Sequence, residues 1–219
     1  MMADRLLILD FDGTLCLGDG PVRAFAREVA STAGAAAVDL LDPLDRFLQG
    51  ELGTPFEGCA DAYTAVATWA RERGLERGAM TAAFLRGRAE LDAGHIEIST
   101  PDGVIDRLGA MQGWHRVLVT NSPLASTVTL TARLGLDTVL DTIIGDAAKP
   151  GGLEALLAPG GDLDARRWSR VVSLGDIWIN DLAPVHAVRG ETGLIERHPQ
   201  PQAVPTWRAG NVQALLHQI

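Results

Sequence analysis

Four places in this 219-residue chain set ionisable or polar groups directly behind a short apolar run. Asp10 and Asp12 follow Leu6-Leu7-Ile8-Leu9, with Gly13 and Thr14 completing the turn. Thr120 and Asn121 follow Val117-Leu118-Val119. Beyond Thr142-Ile143-Ile144 come Gly145-Asp146 and then Lys149-Pro150. Val171-Val172-Ser173-Leu174 leads into Gly175-Asp176, with Asp181 shortly after. In a parallel sheet such strand ends share one edge, so these groups converge on one crevice. Two carboxylates about 4 Å apart repel by ~4 kcal/mol at an effective dielectric near 20, so several together require a cation. The candidate ligands are hard oxygen donors with no His or Cys among them, which selects Mg²⁺ over Zn²⁺. A Mg²⁺ site with Lys149 beside it and helix N-termini at the same edge suits phosphate oxygens.

The elements that must position these groups are legible in outline. The apolar runs are continuous rather than alternating, as in strands covered on both faces. Thr192-Gly193-Leu194-Ile195 is a fifth strand candidate. Helical stretches separate them: Pro123–Leu134 with Ser122 as N-cap, Gly152–Leu157, Asp181–Arg189 and Asn211–Ile219. Alternating strands and helices imply an α/β, Rossmann-like, doubly wound parallel sheet. The stretch from Gly20 to Gly94 has no strong strand run and predicts four helices, Pro21–Ala33, Leu40–Leu48, Glu57–Arg73 and Ala79–Ala93. The expected organisation is therefore an α/β core from 1–18 and 99–219, interrupted by an all-helical insert at 19–98.

Composition limits the partners. The chain is 47% hydrophobic and 21% charged, ordinary globular material. A formal net charge of −9 argues against nucleic acid, whose phosphates select basic faces. The run Leu6–Leu9 is far too short to cross a bilayer or to form a signal-peptide core. Cys16 and Cys59 make neither a disulfide framework nor a metal knuckle, so a reducing cytoplasm is the expectation. Lys149 is the only Lys among 19 basic residues. A compact ammonium at that one place is not interchangeable with a guanidinium. Asp146 is expected to be a loop residue, and Arg23, Arg27 and Arg46 solvated helix charges unless one reaches substrate.

The run Leu9-Asp10-Phe11-Asp12-Gly13-Thr14-Leu15 resembles the signature of the haloacid dehalogenase-like superfamily, in its phosphatase branch. Val119-Thr120-Asn121, Lys149-Pro150 and Gly175-Asp176 with Asp181 match its further signatures, in order, and the helical insert stands where the family carries a helical cap. The resemblance implies that Asp10 attacks phosphorus and binds Mg²⁺. It implies that Asp12 is the general acid and base and lends its carbonyl to the metal. It makes Thr120 the holder of the transferred phosphoryl group, through hydroxyl and backbone, with Asn121 and Lys149 also facing substrate. Lys149 neutralises charge, Asp176 ligates the metal, and Asp181 supports it directly or through water. The insert would act as a lid moving about Gly18–Gly20 and Ser99–Gly103, favouring a small phosphorylated metabolite. The chain departs from the family pattern at Ile177, where many members carry a small polar residue, and in Leu15–Gly20, which lacks the usual polar residue. A phosphomutase shares every one of these residues. A dehalogenase does not need Asp12, and a phospho-acceptor domain lacks both the helical insert and the Asp-x-Asp-Gly-Thr run; a non-catalytic phosphate-binding module stands as the remaining alternative.

Overall fold

The computed structural model describes residues 3–219. They form two compact units, one made of the segment ending at Leu17 together with Ser99–Ile219, the other of Gly18–Ile98. The first is built on six strands: β1 (Arg5–Leu9), β2 (Trp114–Val119), β3 (Thr142–Ile144), β4 (Arg170–Gly175), β5 (Glu191–Ile195) and β6 (Trp207–Ala209). Their order is β3-β2-β1-β4-β5-β6 and every pairing is parallel. This is a Rossmann-like α/β sheet.

Leu6, Leu7, Ile8 and Leu9 are at most 2% exposed, because β1 is central and covered on both faces. That burial explains the unbroken apolar run, and each such side chain contributes roughly 1.5–3 kcal/mol. On one face Leu6 and Ile8 join Val117, Val119 and Val171 against Leu153 and Leu157 of α7 (Gly151–Leu157) and Val185 of α8 (Ala183–Ala187). Elsewhere in this unit the Arg107 guanidinium of α5 (Val104–Gly109) donates to Leu216 O of α9 (Val212–Leu216) at 2.9 Å.

Four features of this unit differ most from the sequence reading. The short strand β6 and the helix α5 were not expected. α6 spans Leu124–Arg133, one residue later than expected: Pro123 has an extended ψ of 134° and is itself the N-cap. Asp181 does not open a helix; it lies inside a π-helical turn, Trp178–Leu182, that runs into α8.

The second unit is all-helical: α1 (Gly20–Thr32), α2 (Val38–Leu48), α3 (Ala62–Glu72) and α4 (Arg77–Asp92). Phe25, Val29, Leu40, Leu44, Phe47, Val66 and Trp69 fill its core. At Gly87 the backbones of α1 and α4 come close; a Cβ there would lie 2.9 Å from Phe25 N. α3 starts at Ala62 rather than Glu57, because Gly58 sits at φ +86° and Asp61 caps the helix by accepting from Thr64 N–H at 2.8 Å. Arg23, Arg27 and Arg46 pair with Asp45, Glu90 and Glu51 at 2.8, 2.9 and 2.7 Å.

Candidate active site

The site stands where the strand order turns back on itself, at the carboxyl ends of β1 and β4. Leu9 is level with Leu174, and Asp10 N–H donates to Leu174 O at 3.0 Å. The turns that carry Asp10 and Asp176 therefore leave adjacent strands side by side. Gly13 allows them to close: it adopts φ +89°, and a Cβ there would lie 2.3 Å from Asp176 Oδ2. The Gly175 position is equally tight, since a Cβ would fall 2.5 Å from Cβ of Asp181. The π-helical turn aims Asp181 back at the strand ends. Its Oδ2 accepts from Ile177 N–H at 2.9 Å, and its carbonyl from Ser173 Oγ at 2.8 Å. Such turns recur at functional sites.

Lys149 completes the centre. Its Nζ donates to Asp10 Oδ1 at 2.7 Å, to Asp181 Oδ1 at 2.6 Å and to Val119 O at 2.9 Å. All three ammonium protons are thus used, an arrangement a planar guanidinium does not match. The loop that presents Lys149 is laced to the end of β2. Asn121 Oδ1 accepts from Lys149 N–H at 2.6 Å, and Ala147 N–H donates to Thr120 O at 3.0 Å. Asp146 N–H donates to Ser122 O at 2.8 Å. These bonds hold Asp146 and Ala148 at φ +50° and +51°, a left-handed backbone that costs a non-glycine residue about 1–3 kcal/mol. Asp146 is more than a loop residue: its Oδ2 accepts from Leu124 N–H at 2.9 Å and so takes the first amide of α6.

Asp10 and Asp181 are 8% and 3% exposed, and one ammonium serves both. The Asp10 carboxyl is pushed up to about 7, by burial first and then by the charges of Asp181 and Asp12, against the pull of the Lys149 ammonium. For Lys149, burial acts to lower the pKa, but the two carboxylates win and hold it above its usual value. Asp10 Oδ2 is buried and has no hydrogen-bond partner among the described residues. One carboxylate oxygen each from Asp10, Asp176 and Asp181 lies within 4.8 Å of the other two. An orphaned anionic oxygen beside two further carboxylates fits a hard divalent cation, and the all-oxygen donor set fits Mg²⁺. Asp10, Asp176 and Asp181 are the residues that would hold it.

Thr120 is 2% exposed at the end of β2. Its N–H is committed to Ile144 O at 2.9 Å, so its side-chain hydroxyl is what it offers an incoming group. That hydroxyl also accepts from Ser122 N–H at 3.1 Å. Asn121 is exposed and engages the Lys149 backbone. Asp12 lies apart from the three-carboxylate group through its side chain, which accepts from Ser122 Oγ at 2.7 Å. Two supporting residues were not anticipated. Gln200, 2% exposed, accepts from Trp178 N–H at 2.8 Å and donates to Asp176 O at 2.7 Å. Arg197 donates to Gly13 O at 2.9 Å. Both come from the segment after β5: Glu196 and Arg197 stand directly behind the fifth apolar run, a signal the sequence reading did not use, while Gln200 lies further on and carries none.

No protein-family model matches the chain, and neither does any curated protein. Solved structures do match over essentially its whole length. A haloacid dehalogenase-like family hydrolase from Streptococcus pneumoniae superposes with a TM-score of 0.66 at 16% identity, covering 99% of this chain and 98% of its own. The HAD-hydrolase YfnB of Bacillus subtilis, bound to magnesium, gives 0.60 at 17%, covering 100% and 99%. A HAD phosphatase from Thermococcus onnurineus gives 0.54 at 14%, covering 100% and 97%. A dehalogenase is among the further matches. The chain therefore has the fold of the haloacid dehalogenase-like hydrolases.

Proposed function

We propose that this protein is a Mg²⁺-dependent phosphatase that hydrolyses a small phosphorylated metabolite through an aspartyl-phosphate intermediate. The observation that carries the reading is the centre itself. Asp10 is buried and bound through Oδ1 to the Lys149 ammonium; its Oδ2 has no hydrogen-bond partner among the described residues, and carboxylate oxygens of Asp176 and Asp181 lie within 4.8 Å of an Asp10 oxygen. A carboxylate and a phosphate repel each other unless positive charge lies between them. Lys149 supplies one such charge at a fixed place. Mg²⁺ held by Asp10, Asp176 and Asp181 would supply the rest and polarise the phosphoryl oxygens.

The residues then divide the work. An Asp10 oxygen forms a bond to phosphorus while the bond from phosphorus to the leaving oxygen breaks. Asp12 gives that oxygen a proton. Asp12 then takes a proton from water as the water oxygen bonds to phosphorus, and the electron pair of the breaking bond returns to Asp10. The Thr120 hydroxyl and the Lys149 ammonium steady the transferred group. Asp12 favours a phosphatase over a dehalogenase, because displacement of halide needs no acid at this position.

The experiment is hydrolysis of p-nitrophenyl phosphate with and without Mg²⁺, for wild type and Asp10→Asn. The expected result is Mg²⁺-dependent release of phosphate by wild type and loss of at least about 10³-fold in the variant. Undiminished turnover by Asp10→Asn would remove the nucleophile. A screen of phosphorylated metabolites, with product analysis, then separates hydrolysis from intramolecular phosphoryl transfer.

A further inference from the structure

Ser122 stands where a helix cap was expected, yet capping is not its work. Pro123 intervenes as the N-cap of α6, and the first amide of that helix is taken by Asp146. Ser122 is instead 4% exposed and held at three points. Its N–H donates to Thr120 Oγ1 at 3.1 Å, its carbonyl accepts from Asp146 N–H at 2.8 Å, and its hydroxyl donates to Asp12 Oδ2 at 2.7 Å. A serine hydroxyl has one proton to donate. Here that proton is directed at one named oxygen of one carboxylate, from a backbone fixed on both sides.

We propose that Ser122 is a positioning residue that assigns the two oxygens of Asp12. With Oδ2 accepting from Ser122, a proton carried by Asp12 sits on Oδ1. Oδ1 is then the atom that gives its proton to the leaving oxygen as the phosphorus–oxygen bond breaks and its electron pair moves onto that oxygen. The inference deepens the phosphatase reading and rests on it. Without the Ser122 bond, Oδ2 loses the donor that distinguishes it from Oδ1, and the proton is no longer directed to the oxygen that faces the leaving group. Orientation losses of this kind cost up to about 10²-fold.

The test uses Ser122→Ala and two substrates whose leaving groups differ in their need for a proton. Nitrophenolate departs unprotonated, whereas the alkoxide of glycerol 2-phosphate must be protonated as it leaves. The readout is kcat/KM, which ends at alcohol release and so excludes the hydrolysis of the phospho-enzyme that both substrates share. The expected result is a fall of about 10–100-fold for glycerol 2-phosphate and less than about 3-fold for p-nitrophenyl phosphate. Retained turnover of the aryl ester also shows that the variant is folded. Equal losses on both substrates, or no loss on either, overturn the assignment. A wild type that hydrolyses neither ester overturns the phosphatase reading, and this inference with it.

Discussion

Replacing Lys149 by Met tests how the centre is held together. The Lys149 side chain is 4% exposed, and it meets Asp10 and Asp181 side chains that are 9% and 4% exposed. Each ion pair is worth about 4 kcal/mol of Coulomb attraction at 4 Å and an effective dielectric near 20. Most of that is offset by the cost of taking three charges out of water. Met fills a similar volume but restores no charge, so two buried carboxylates are left facing each other. Removing one partner of a buried pair costs about 3–5 kcal/mol, and here a single removal strips both acids, which places the expectation in the upper half of that range. The assay is urea unfolding followed by tryptophan fluorescence. Four of the five tryptophans, Trp114, Trp168, Trp178 and Trp207, lie in the α/β unit and Trp69 lies in the helical one, so the signal follows mainly the unit that holds the site. The deficit should shrink in Mg²⁺, because a divalent cation replaces the missing positive charge. Lys149→Arg should also destabilise, since a planar fork does not reach three acceptors set around one point. A Met variant within about 1 kcal/mol of wild type, or a deficit indifferent to Mg²⁺, would refute the reasoning.

Gln200→Ala removes the bonds to Trp178 N–H and Asp176 O and should weaken Mg²⁺ binding by about 10-fold in calorimetry, with unchanged affinity as the contrary result. Gly13→Ala must displace Asp176 Oδ2 from 2.3 Å and strain a φ of +89°; it should lower both the melting temperature and Mg²⁺ affinity, and a silent variant would mean that the two turns are not in contact. Burial acts to raise the Asp141 pKa, but the bonds from Arg116 win and hold it below the usual value, while the bond from Arg170 lowers Glu191 against burial. For both, the unfolded chain binds protons more readily than the folded one, so their stabilisation is present above about pH 4.5 and is lost as pH falls through the folded pKa. Asp141→Asn should therefore trail wild type in melting temperature near neutrality and converge with it on acidification; a gap independent of pH would contradict the pairing.

How much of this was legible depended on whether the signal was local. β1, β2, β4 and β5 were legible because strands inside the sheet carry continuous apolar runs, as Leu6–Leu9 does in β1. β3 and β6 are both three residues long, lie at the sheet edges and bury none of their residues fully; Thr142-Ile143-Ile144 still shows as an apolar run, whereas Arg208 interrupts Trp207–Ala209, so β3 was legible and β6 was not. The start of α3 was misjudged because helix-favouring composition runs back past the true cap at Asp61. Asp10, Thr120, Lys149 and Asp176 were legible because each follows its strand within a few residues. Asp181 was legible as a residue but not in its setting, since a π-helical turn leaves no pattern of its own. Ser122 and Gln200 act across 110 and 22 residues of chain, and each is ordinary in its own neighbourhood. Only the sheet order brings them to their partners.

The most direct measurement is to look for the phosphoryl group on Asp10. The Asp12→Asn variant still presents the nucleophile but has no base to activate water, so the phospho-enzyme should persist. Incubation with p-nitrophenyl phosphate and Mg²⁺, acid quench and peptide mass spectrometry should then find one phosphoryl group on the peptide carrying Asp10. Hydroxylamine should remove it, as it does an acyl phosphate. Phosphate release by wild type with no such adduct, or with the adduct on another residue, would contradict covalent catalysis by Asp10.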